Sequence, residues 1–189
     1  MFENISADIT QAFHRRGINE LIDIMYFIIL ESHGLQALVI YRFGRWLKLV
    51  SRKNSSRIIT TLLYPIYRLL SWFIIKAYGI NIDLSADIAM GCCITHFGGI
   101  ELRNCRVGSG CNIHQQVRIV GDNALNHTIV IGDKVYIGAH AKIFNNVTIG
   151  DGATIGAGAI VKMNVPEHSL ILGAPARVVH YNYINSALL

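Results

Sequence analysis

Two periodicities divide the chain. Up to Gly79, apolar residues recur at three-to-four spacing in LIDIMYFIIL, GLQALVIYRFGRWLKLV and RIITTLLYPIYRLLSWFIIKAYG, which predicts helices. SRKNSS, residues 51–56, is the expected break between two of them, and Pro65, which lacks an N–H, is expected to kink or split the last. From Ile80 the period becomes six. Aliphatic residues stand at Ile82, Ile88, Ile94, Ile100, then after one extra residue at Val107, Ile113, Ile119, Leu125, Ile131, Ile137, Ile143, Ile149, Ile155 and Val161. Four places after these the residue is small or β-branched: Ala86, Cys92, Gly98, Cys111, Val117, Val135, Ala141, Val147, Ala153 and Ala159. A six-residue unit with one large and one small inward position builds a triangular prism, three units to a turn, whose stacked turns bury a continuous core. The expected fold is mainly β: a parallel β-helix of hexapeptide repeats over residues 81–179, preceded by a helical region over 1–80 and followed by a short tail, 180–189.

Composition narrows the function classes. With 52% hydrophobic residues, 15% charged and three prolines in 189, the chain is neither disordered nor a small disulfide scaffold. Its first residues, MFENISADITQAFHRRG, lack the basic start and apolar stretch of a secretion signal, so a cytoplasmic location is expected. The four cysteines form no CxxC pair and no zinc pattern; Cys92 and Cys111 fall on small inward positions, while Cys93 and Cys105 fall next to corners without an assigned place. The net charge of +5 is all N-terminal, and Ser32 to Ile82 holds eight basic residues (Arg42, Arg45, Lys48, Arg52, Lys53, Arg57, Arg68, Lys76) and no acidic one. Such a stretch faces something negative or apolar. One reading is helices at the inner face of an anionic membrane, with Tyr67, Trp72 and Tyr78 at the headgroups; the favoured one is helices packed on each other or on another subunit, with their cations solvated. The cations lie beside apolar residues rather than in a polar groove, which argues against nucleic acid.

ALVIYRFGRWL, ITHFGGIEL, NIHQQVRIVG, VYIGAHAKIFNNVTIGDGATIGAGAIVK and VPEHSLILGAPARVV together resemble the serine acetyltransferase branch of the hexapeptide-repeat acyltransferases, over Gly34 to Val179. The resemblance implies a left-handed parallel β-helix, a homotrimer with active sites between subunits, and acetyl-CoA as the donor. Moving an acetyl group from a thioester to a hydroxyl needs a base for the alcohol's proton and donors for the oxyanion, so one placed histidine suffices. His96, followed by Gly98 and Gly99, matches the family's catalytic histidine. His127, in DNALNHT, corresponds to a second substrate-site histidine, or is an uninvolved loop residue. Gln115 is expected one turn below His96 as a polar contact, with His114 beside it exposed to solvent. His140 is expected to border the cofactor groove and His168 to be structural. The family's orienting aspartate, fifteen residues before the histidine, is Asn81 here, with Asp83 and Glu101 as substitutes. For acetyl-CoA the resemblance implies backbone groups at Ala139 and Ala157, and Lys162, Met163 and Arg177 near its far end.

Three departures bear on the acceptor. The helical region is shorter than in the cysteine-pathway enzymes and lacks their Arg-Asp-Pro segment, Thr95 stands where they carry an aspartate suited to an ammonium group, and the chain stops at Ala187-Leu188-Leu189. These features resemble relatives in surface-polysaccharide biosynthesis, so a sugar hydroxyl is the expected acceptor, with L-serine as the alternative. Two other classes stand beside an acetyltransferase: a zinc hydrolyase using His96, His127 and His140, for which the spacing is wrong, and a non-catalytic assembly module. No metal is expected.

Overall fold

A computed structural model describes residues 4–9, 32–51, 57–96, 98–121, 129–144 and 146–185. Helix α1 covers 4–9, α2 His33–Ser51 and α3 Arg57–Tyr78, and from Ile80 onward the described chain is built of short strands. Every third strand stacks on the last. The first sheet runs β1 (Ile80–Ile82), β4 (Ile100–Arg103), β7 (Arg118–Val120), β10 (Lys142–Phe144), β13 (Ile160–Val161). The second runs β2 (Asp87–Ile88), β5 (Cys105–Val107), β8 (Ile129–Ile131), β11 (Thr148–Ile149). The third runs β3 (Cys93–Ile94), β6 (Asn112–Ile113), β9 (Tyr136–Ile137), β12 (Thr154–Ile155), β14 (Leu170–Leu172), β15 (Arg177–His180). All pairings are parallel except that of β14 with β15. Three parallel faces wound by one chain form the left-handed β-helix.

The register corrects the six-residue count in two places. Ile82 pairs with Leu102 and Ile80 with Ile100, so the large inward residue of that unit is Leu102, and Ile100 takes the smaller inward place that the period gave to Gly98. Ile94 to Leu102 is thus eight residues rather than six, and the excess lies at the corner containing His96, Gly98 and Gly99. The next unit is correspondingly short, which puts Cys105, 1% exposed, on a small inward position two before Val107. Ile131 pairs with Val107 and so follows Ile119 directly around the prism. Leu125 lies outside the described residues, as does LIDIMYFIIL. The other inward aliphatics are buried, Ile113, Ile119, Ile137, Ile143 and Ile155 completely. Burying each such side chain contributes about 1.5–3 kcal/mol.

Pro65 does not split α3. It is exposed, and the helix runs on through it from Arg57 to Tyr78. The basic run is also used differently from either reading of the sequence. Arg42, only 6% exposed, donates to the carbonyl oxygens of Ile88 and, at 2.6 Å, Ala89, and pairs at 3.2 Å with Asp8, itself 1% exposed. Burial raises the Asp8 carboxyl above its usual range, against the opposing pull of Arg42. Tyr41 donates to the Ala86 carbonyl at 2.8 Å and accepts from Ile88 N at 3.2 Å. Arg45 reaches Asp87 at 2.6 Å, and Lys48 the Leu84 carbonyl at 3.2 Å. These cations satisfy carbonyls of the first turn of the prism. Tyr67 is buried, Tyr78 packs edge-on against His33, and only Trp72 of the three aromatics is strongly exposed. Among the described residues no helix is long and apolar enough to cross a membrane.

Burial pushes the Cys92 thiol well above its ordinary value, Cys105 up to about 12 and Cys111 up to about 11. Cys93 is half-buried. At pH 8 the native protein is therefore expected to show one fast-reacting thiol of its four, abolished by Cys93→Ser; rapid labelling of Cys105 or Cys111 by a thiol reagent contradicts this burial. Replacing Arg42 with Met leaves Asp8 and two carbonyls without their donor. A loss of about 3 kcal/mol is expected, read as a lower urea midpoint at fixed protein concentration.

Candidate active site

The corner after the third sheet aligns residues from successive turns. Ile94, Ile113, Ile137, Ile155 and Ile171 are in register. One residue further come Thr95, His114, Gly138, Gly156 and Leu172, tied by Thr95 N to Ile113 O at 2.9 Å, His114 N to Ile137 O at 3.0 Å, and Gly138 N to Ile155 O at 2.8 Å. The next residues along are His96, Gln115, Ala139 and Ala157, which form a single line down one edge of the prism. At about 4.8 Å per turn, His96 and Ala157 are about 14 Å apart.

His96 is exposed and has φ +65°, a conformation uncommon for a residue with a side chain. Gly98 at φ +105° and Gly99 at φ +64° complete the widened corner, and Gln116 N donates to Gly98 O at 2.8 Å. The His96 ring lies 6.2 Å from that of His114, and His114 lies 4.9 Å from the ring of Tyr136. His114 is therefore half-buried, with its Nε2 enclosed, and not the solvent-facing residue expected from the repeat. Gln115 Oε1 is buried beside it and has no hydrogen-bond partner among the described residues. Thr95 donates its hydroxyl to Asn112 Oδ1 at 2.8 Å, which leaves oxygen lone pairs for a substrate. Asn112 and Tyr136 were not singled out by sequence; the register of Cys93 with Asn112, nineteen residues on, is the signal that locates them.

The three candidate orienters are placed differently from one another. Among the described residues none is hydrogen-bonded to His96. Glu101 is held by Arg118, at 2.7 and 2.9 Å, and by Arg103 at 3.5 Å. Asp83 is at the far end of β1, where its Oδ1 accepts from Ser85 N at 2.7 Å. Asn81 is exposed on the first sheet next to Glu101 and has no partner among the described residues. His127 lies outside the described residues.

The lower part of the edge suits a long, thin ligand. Ala157 is exposed, and a Cβ on Gly158 would meet only open space. Gly138 has no room for a side chain against the backbone of Ile155, Gly156 and Ala157, which keeps the edge flat there. His140, exposed at φ +62°, borders it and donates its N–H to Gln115 O at 2.9 Å. Arg177 is exposed opposite Leu172, near the end of the same edge. Lys162 and Met163 follow β13 and so stand at the next corner, one strand away from Ala139 and Ala157 within the chain. His168 sits in a turn, its N–H bonded to Asp151 O at 2.8 Å. Among the described residues no three His, Cys, Asp or Glu side chains come together as a metal site.

Comparison with known proteins agrees with this architecture. The family described as bacterial transferase hexapeptide (six repeats) matches residues 128–162. The serine acetyltransferase of Bacillus subtilis is 32% identical over 162 residues, 83% of this chain and 69% of the relative. That of Synechococcus elongatus is 29% identical over 188 residues, 95% of this chain and 69% of the relative. The chain spans about half the length of others, 55% for Staphylococcus xylosus. The crystal structure of Neisseria gonorrhoeae serine acetyltransferase in complex with serine superposes with TM-score 0.76 at 25% identity, covering 95% of this chain and 69% of the other. The Vibrio cholerae enzyme gives 0.76 at 29% identity, over 95% and 66%. These relatives do not support the expected place in surface-polysaccharide biosynthesis. With a prism wound as in these enzymes and a histidine heading its small-residue edge, the chain belongs to the serine acetyltransferase family of hexapeptide-repeat acyltransferases.

Proposed function

We propose that this protein transfers the acetyl group of acetyl-CoA to the hydroxyl of L-serine, with His96 as the general base. The observation that carries the reading is the line of His96, Gln115, Ala139 and Ala157 down one edge of a chain that is similar to relatives named as serine acetyltransferases. In this reading the pantetheine arm lies along Ala139 and Ala157, and its thioester reaches the corner of Gly98 and Gly99. Small residues let a ligand approach the backbone closely, and Arg177 and Lys162 are cations suited to its phosphates, Lys162 from the adjoining corner.

His96 takes the proton of the acceptor hydroxyl as its oxygen attacks the thioester carbonyl. The tetrahedral oxyanion collapses, the C–S bond breaks, and the imidazolium returns the proton to the CoA thiolate. Asn81 is the orienter the family pattern implies, since Glu101 is neutralised by two arginines and Asp83 is engaged in a turn. Its amide oxygen fixes a tautomer but supports the imidazolium charge less than a carboxylate does. The family pattern further implies a homotrimer, and a CoA thioester donor together with three buried thiols fits a cytoplasmic enzyme.

Release of CoA thiol is expected with L-serine and to fall at least 100-fold in His96→Ala. Turnover with a nucleotide sugar or oligosaccharide and none with serine replaces the acceptor, and undiminished turnover in the variant removes His96 from the chemistry. Ala157→Leu, measured on an assembly expected at three times the 21.0 kDa chain mass by light scattering, is expected to raise the KM for acetyl-CoA about 10-fold with little change in kcat. An unchanged KM places the cofactor elsewhere.

A further inference from the structure

Helix α3 is apolar on two sides. Tyr67 and Ile74 turn inward and are buried. Opposite them, Leu62, Ile66, Leu69 and Phe73 recur at helical spacing, which places them on one stripe about 17 Å long. Each of these side chains is at least half exposed. A surface helix in water buries one apolar stripe and turns a polar one outward, so a helix with a second apolar stripe is built to be covered on both sides.

The rim of the stripe says what covers it. Arg68, Trp72 and Lys76, each one helical turn from the next, form the adjoining row and are all exposed. Among the described residues neither cation is bonded to an acidic group, whereas Arg42, Arg45, Arg103 and Arg118 all are. No acidic residue stands between Ser32 and Ile82. Asp83 lies across a cleft lined by Tyr67, Arg68 and Ser71, on the side of this row away from the stripe. The occupant must therefore combine an apolar layer with negative charge along its edge. A second copy of the chain paired through this face brings the same cations and no acid, so like charges meet. An anionic bilayer supplies both parts: acyl chains for the stripe and phosphates for the cations, with a headgroup level that suits the amphipathic Trp72 ring.

We propose that α3 docks the protein on an anionic phospholipid surface, with Leu62, Ile66, Leu69 and Phe73 in the acyl boundary and Arg68 and Lys76 at the phosphates. Among the described residues no helix is long and apolar enough to cross a membrane, so α3 lies along the surface. The cations that close the first turn of the prism take no part, since Arg42 and Arg45 are already paired. The proposal does not rest on the serine reading and holds for any acceptor.

The test uses the full chain in a Trp46→Phe background, so that Trp72 is its one tryptophan. Co-sedimentation is measured with vesicles of equal parts phosphatidylglycerol and phosphatidylcholine, and with vesicles of phosphatidylcholine alone. Binding to the anionic vesicles is expected to be about 10-fold tighter or more, and to weaken as salt is raised. Trp72 emission is expected to shift to the blue and to be quenched by phospholipids brominated on their acyl chains. Leu69→Gln is expected to weaken binding about 10-fold, and Arg68→Gln with Lys76→Gln by a similar factor. CoA thiol release in solution is expected to be unchanged in these variants. No binding to anionic vesicles, equal binding to both kinds, or bound protein whose Trp72 is not quenched overturns the proposal. So does parental binding by both sets of variants. A fall in mass by light scattering in Leu69→Gln, with the chain still folded, assigns the stripe to another copy and also overturns it. Quenching is read with α3 unaltered, so it decides the question even where a substitution disturbs folding.

Discussion

Backbone hydrogen bonding between successive turns holds each inward aliphatic directly over the one before it, and every other feature of the molecule is built on that register. Parallel strands only two to four residues long would be marginal in isolation. Stacked, each turn completes the hydrogen bonds of the next and adds a layer to one dry core. The second inward position of each unit takes residues from Ala to Ile, and Cys92, Cys105 and Cys111 are buried there as compact apolar residues. Where the register is kept, corner residues from different turns align. Where two residues are added, in the corner that holds His96, Gly98 and Gly99, the corner widens beside His96.

An open-ended prism leaves the carbonyls of its first turn without a following strand. In this chain α2 closes that end with side chains. Tyr41, Arg42, Arg45 and Lys48 recur at helical spacing and reach Leu84, Ala86, Asp87, Ile88 and Ala89. Long cationic side chains suit this because they carry several donors on an apolar stem. The same helices bring α3 alongside β1, and with it a cation, a carboxylate and aromatic rings into one cleft. Thus the device that ends the β-helix also shapes the surface beside the first strand.

The corner itself shows how a regular fold acquires chemistry. A small-residue edge is flat enough for an extended thioester, and the left-handed backbone of His96 projects an imidazole at its head. His114 and Tyr136, one and two turns below, fill the space under it. Asn81 stands exposed beside Glu101 on the first sheet, and Glu101 is committed to Arg118 and Arg103, so among the described residues no carboxylate is bonded to His96.

The six-residue period predicts the β-helix, most of its inward residues and Gln115 one turn below His96, because a repeat fixes its own neighbours once the turn length is known, while Ala139 and Ala157 come from the family resemblance. HFGG and the GAPAR ending pointed to His96 and to acyl transfer. The two register shifts escape the period, since an inserted residue can be absorbed on either side of a strand and only pairing decides which; for that reason the period puts Gly98 inward and gives Cys105 no place. The fate of the basic run was likewise closed to sequence. A cation beside apolar residues reads the same whether it meets lipid, water or a carbonyl, and only the packing of α2 and α3 on the first turn showed that Arg42 is buried on the protein's own backbone while Arg68 is left facing Asp83 across a cleft.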